Sequence, residues 1–164
     1  MKLVFVGDIV GKEARETFIK KITDIKNQYK PDALIVNAEN AAAGYGLTKK
    51  IAVQLIEAGV DVITLGNHAW DQREMLSYIE ECPKIVRALN YPSGVPGKGY
   101  YELILNNDKK IIIMQVMLRL FMSLFLDDPF SATKNFLQKE KLGSTCSAIL
   151  IDMHGEATSE KNAF

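Results

Sequence analysis

Cysteine is almost missing from this chain. Cys82 and Cys146 are the only two, they stand far apart, and neither belongs to a C-x-x-C pair. That spacing excludes a disulfide framework and a zinc knuckle, and reads as two buried thiols in a cytoplasmic protein. An excess of charge of one sign is also lacking: Lys plus Arg and Asp plus Glu are 20 each, for a formal net charge of +0. No extended nucleic-acid surface is indicated by that balance, although a local phosphate pocket would not show in it. No apolar run is long enough to span a membrane, and the greasiest stretch, 111–126, is interrupted by Gln115 and Arg119. Asp8 breaks the N-terminal apolar run early and no small-residue cleavage site follows, so a secretory leader is not expected. Neither G-x-G-x-x-G nor a Walker loop occurs; GDIVGK is too short, and Lys12 is followed by Glu13.

What remains is 164 residues, 48% hydrophobic and 24% charged, which suits one soluble globular domain with a substantial core. Residues 3–7 read as a buried strand. A helix follows over about 12–29, with Phe18, Ile22, Ile25 and Tyr29 on one face, and Pro31 and Asp32 stop it. ALIVN at 33–37 is a second strand. Thr48 is placed to cap a helix that Gly59 closes, and 60–66 is a third strand. Asp71 and Glu74 have capping-box spacing ahead of a helix over 72–81. KIVRALN supplies a fourth strand, 100–116 reads as a hairpin around NND, and Ser131 is the expected cap of a helix reaching about Lys141. The last strand, 147–153, runs to His154. Strand and helix in alternation predict an α/β fold with a mostly parallel sheet.

The informative feature is how the strands end. The first leads to Asp8, the second to Glu39 and Asn40, the third to Asn67 and His68, and the last to His154. Carboxyl ends of parallel strands share one rim, the usual place for a site in an α/β sheet. Carboxylate, amide oxygen and imidazole are ligands for hard and borderline metals. Each residue has a structural alternative as well. Asp8 could cap the helix after Gly11, Asn40 and Asn67 could hold turns, His68 could stack on Trp70, and His154 could cap the final strand. Four strands ending alike favour a metal centre over four coincidences. Two divalent ions could bind a phosphate ester and hold hydroxide for in-line attack. Glu39 is the candidate bridge and His68 the candidate acid toward the leaving oxygen.

The stretches FVGDIVG, IVNAENAAAGYGLT, TLGNHAWD, VRALNYP, PGKG, LDDPF and IDMHGEATSEK, in this order, resemble the calcineurin-like metallophosphoesterase superfamily, and within it the YmdB-like 2′,3′-cyclic-nucleotide 2′-phosphodiesterases. The resemblance implies a metallophosphoesterase-type βαβ sandwich and two metal ions, often iron and sometimes manganese. It implies Asp8 and Asn40 on one metal, Glu39 bridging, and Asn67 and His154 on the other. His68 would be the catalytic acid and not a ligand. A small phosphodiester or cyclic-nucleotide substrate, oligomers and a cytoplasmic location are implied too.

Two departures from the family stand out. Members carry two further histidines in a late G-T-H-T-H-like segment, whereas His68 and His154 are the only histidines here. On that comparison residues 1–164 read as the N-terminal portion of a single metallophosphoesterase domain, incomplete at its C-terminus. In QVMLRLFMSLFLDDPF, Leu118 replaces the family's glycine before Arg119, and Ser123 and Leu124 stand where prolines are usual. The competing expectation is a catalytically inactive remnant or interaction module of the same fold. A third is a nucleotide-binding domain using Gly7 and Gly11 around phosphate.

Overall fold

The computed structural model describes residues 1–164. Its first half is three successive βαβ units: β1 (Leu3–Val6), α1 (Gly11–Tyr29), β2 (Ala33–Asn37), α2 (Lys49–Glu57), β3 (Val62–Thr64), α3 (Met75–Glu81) and β4 (Ile85–Val86). The four strands form a parallel sheet in the order β1-β2-β3-β4. Strand alternation divides their side chains between two faces. Leu34, Val36, Ile63 and Ile85 pack against Phe18 and Ile22 of α1, Leu55 of α2 and Ile79 of α3. Ala33, Ile35, Val62 and Val86 turn the other way.

That second face is covered by another sheet, β5 (Tyr100–Ile104), β6 (Lys110–Met117) and β7 (Ala148–His154), in the order β5-β6-β7. The β5/β6 hairpin is antiparallel and β6/β7 is parallel. Ile111 and Ile113 of β6 fill the space between the sheets. Ile112, Met114 and Val116 face outward, toward Phe136 of α4 (Pro129–Leu137) and Phe164, which follows α5 (Thr158–Ala163). The result is four layers, helix, sheet, sheet, helix, with apolar packing in each gap. No helix is long and apolar enough to cross a membrane.

Several local expectations change. Thr48 does cap α2, accepting from the Ile51 N–H at 3.2 Å. Asp71 does not cap α3; that helix starts at Met75 without a side-chain cap, because Asp71 is held by His68 and the Glu74 carboxylate accepts from the Lys49 N–H. Asp128, not Ser131, caps α4, accepting from the N–H groups of Phe130 and Ser131, and Pro129 begins the helix. Tyr29 is exposed at 46% and does not belong to the core face of α1. The greasy stretch divides in two. Residues 111–117 are buried, whereas Phe121 and Phe125 are 87% and 97% exposed on the loop that follows. The buried Glu160 carboxylate anchors that loop by accepting from the Arg119 and Leu120 N–H groups.

Candidate functional site: a hydrogen-bonded polar rim

Parallel pairing brings the carboxyl ends of β1, β2 and β3 to one edge of the first sheet, and β7 delivers its own end there from the second. Asn37, the last residue of β2, is buried and turns toward β7. Its amide donates to the Leu65 carbonyl and to Asp152 Oδ2, both at 3.0 Å, and its Oδ1 accepts from the Glu39 N–H. Asp152 also accepts from the Thr64 hydroxyl at 2.5 Å. This network joins the sheets and sets the direction in which residue 39 leaves the strand.

Glu39 is 3% exposed. One carboxylate oxygen accepts from the His68 N–H at 3.2 Å, and the other lies 3.3 Å from His154 Nδ1. Burial is the strongest influence on its acidity and holds the carboxyl above the ordinary value of 4.5, while His154 acts in the opposite direction. Gly66 makes this placement possible. A Cβ there would overlap the Glu39 carboxyl carbon and both its oxygens, so the strand end must be glycine for close approach.

His154 Nε2 lies 2.8 Å from Asn67 Oδ1. This contact joins the end of β7 to the segment that follows β3. Asn40 donates through its amide to Asp8 Oδ2 at 2.9 Å. His68 is tied by Nδ1 to Asp71 Oδ2 at 2.6 Å, with Tyr45 edge-on at 5.8 Å between ring centroids. The Asp71 contact fixes the orientation of the ring. Trp70, the partner of His68 in the structural alternative, packs against Tyr91.

The predicted residues therefore fall into linked sets: Glu39 with His154 and Asn67, Asp8 with Asn40, and His68 beside Glu39 through its backbone but with its ring on Asp71. Asp8 does not cap α1, whose N-terminal flank has no side-chain cap, and His154 lies inside β7 rather than capping it. Asn37, Thr64 and Asp152 were not singled out from sequence, and Asp71 was read only as a helix cap. A lone carboxylate in the apolar run of β7 was the available signal for Asp152.

A two-metal centre needs several anionic or imidazole donors that converge on each ion, whereas here His154 meets Asn67 and Asn40 meets Asp8. No group of three or more His, Cys, Asp or Glu side chains stands where it could hold a metal ion. This corrects the expectation of metal binding through Asp8, Glu39, Asn40, Asn67 and His154, and with it the iron or manganese pair. Two of the five are neutral amides.

The sequence model of the YmdB-like protein family matches residues 4–164. The chain belongs to the YmdB-like family. This YmdB-like chain is similar to the 2′,3′-cyclic-nucleotide 2′-phosphodiesterase of Bacillus subtilis, with 40% identity over 163 residues, covering 99% of the chain and 60% of that protein. Its fold is similar to the crystal structure of a hypothetical protein from Thermus thermophilus, with a TM-score of 0.89 and 42% identity over 99% of the chain and 61% of that structure. A crystal structure of a novel phosphatase from Mycoplasma pneumoniae matches with a TM-score of 0.89 and 34% identity, covering 99% of the chain and 58% of that structure. The YmdB-like chain thus spans about three-fifths of the length of these relatives, and its two-sheet α/β architecture is theirs in part.

Proposed function

We propose that residues 1–164 form a catalytically silent portion of a single phosphodiesterase-type domain and act as an interaction module of that fold. The observation that carries this reading is the closed polar rim. His154 is occupied by Asn67 and Glu39, Asn40 by Asp8, and no acidic or imidazole triad remains for a cation. The His68–Asp71 pair keeps the geometry of a proton-transfer group, but a proton donor accelerates nothing unless substrate is positioned beside it.

The substrate named for the Bacillus subtilis relative supplies the test. The 164-residue chain is incubated with a 2′,3′-cyclic nucleotide and added Mn²⁺ or Fe²⁺, and metal uptake is followed separately by calorimetry. The expected result is hydrolysis no faster than in buffer and no stoichiometric metal binding. Turnover that disappears in His68→Ala would overturn the reading.

A further inference from the structure

Helices α1 and α2 follow β1 and β2, pack on the same face of the first sheet and run in the same direction. A cleft of about 630 Å³ lies between them, a volume suited to a small molecule. Helical spacing sets Lys12, Arg15 and Lys20 along one wall, and Lys50 and Gln54 along the other. The floor is apolar: Ile19 and Ile51 are held there by the core beneath.

The charge in this cleft is uneven. The chain as a whole has a formal net charge of +0, yet four cations line the cleft against two carboxylates, Glu16 and Glu57. Glu16 lies 3.8 Å from Lys12 and offsets it. Arg15, Lys20 and Lys50 make no ion pair. Arg15 donates from Nη1 to the Ala41 carbonyl at 2.6 Å, which steadies the guanidinium and leaves its other N–H groups for a ligand. Glu57 stands at the far end, where α2 finishes.

Three cations without counter-ions, over an apolar floor, call for a ligand with concentrated negative charge and a carbon body. A diphosphate has oxygens enough to meet all three cations through charge-assisted hydrogen bonds. Its body would lie on Ile19 and Ile51, with the Gln54 amide beside it. Glu57 disfavours a long polyanion running the length of the cleft, because such a chain would bring negative charge against the carboxylate. We propose that the α1/α2 cleft binds an organic diphosphate, with the phosphates on Arg15, Lys20 and Lys50 and the carbon body over the two isoleucines. The cleft uses none of the rim side chains, so this site and the silent-module reading stand or fall separately.

Calorimetry on the 164-residue chain at low salt, without added metal, tests the site with three probes: inorganic pyrophosphate, ADP and geranyl diphosphate. At least one organic diphosphate should bind with a Kd below about 1 mM and at least about tenfold more tightly than pyrophosphate. Binding of ADP alone would assign the body as a nucleoside, and of geranyl diphosphate alone as an isoprenoid chain. Lys50→Gln and Lys20→Gln should each weaken that binding by about tenfold, with the melting temperature unchanged. Lys109→Gln, which removes an exposed cation between β5 and β6, should change it by less than about twofold. Three results would overturn the site: no probe bound at about 1 mM, pyrophosphate bound as tightly as both organic diphosphates, or equal losses in Lys50→Gln and Lys109→Gln. The last would mark diffuse attraction to a charged surface, of the kind a nucleic-acid backbone also feels.

Discussion

Gly66 sits where the end of β3 meets the most buried carboxylate of the rim, and Gly66→Ala perturbs that contact alone. The backbone of Gly66 is not left-handed, so alanine introduces no torsional strain. The whole effect comes from its methyl group, which would overlap the Glu39 carboxyl group. Glu39 must move, yet at 3% exposure it has little space. Crowding a packed interior costs about 1–3 kcal/mol. Displacing the carboxylate also breaks its bond from the His68 N–H, and a hydrogen bond to a charged group contributes about 1.5–3 kcal/mol. Together these place the loss at about 2.5–6 kcal/mol, a large fraction of the stability of an ordinary domain. Urea denaturation of the two single variants, Gly66→Ala and Glu39→Ala, and of the double variant measures it. The cost of Gly66→Ala should fall below about 1 kcal/mol once the Glu39 side chain has been shortened, giving a coupling above about 2 kcal/mol. Equal costs in the two backgrounds would refute the close-approach argument.

Two further outcomes follow from buried charge. Arg87, 8% exposed, donates to the carbonyls of Ala88, Val95, Pro96 and Gly97, so one planar guanidinium fastens the 91–99 loop. Lysine cannot reproduce that fork, and Arg87→Lys should cost about 2–4 kcal/mol in urea denaturation and open the loop to proteolysis; a change under about 0.5 kcal/mol would contradict it. Burial raises the Glu39 carboxyl above 4.5, so between that value and its folded one the native state holds a proton that the unfolded chain has lost, and stability declines as pH rises through the window. Glu39→Gln removes that decline. Its stability relative to the parent should therefore improve from below pH 4.5 toward neutrality, and denaturation midpoints moving in the opposite direction would reverse the assignment.

Much of the fold was readable because its signals are local. ALIVN marks a strand by its apolar run and the 60–66 segment by its β-branched residues, Thr48 announces α2, and alternating units imply a parallel sheet. Capping was less legible. Asp71 with Glu74 has the right spacing, but a histidine three residues earlier competes for the same carboxylate. Asp128 followed by Pro129 was the stronger start for α4 than Ser131, since proline suits the first helical position. α5 is six residues long, too short for periodicity to reveal. The rim failed in a different way. Sequence provides an inventory of donors and acceptors but not their pairing, and Asn67 with His154 or Asn37 with Asp152 meet across 87 and 115 residues. Residues read as metal ligands were partners for each other.

Those long separations say something about how the molecule is put together. The first sheet is assembled from neighbours along the chain, each strand joined to the next through one helix, whereas β7 returns to β6 after a long detour. Contacts that close large loops form late and open early. The rim is thus a seam between an early half and a late half. Separation of β7 from β6 would part Glu39 from His154 and Thr64 from Asp152, exposing a buried carboxylate while the first sheet is still paired.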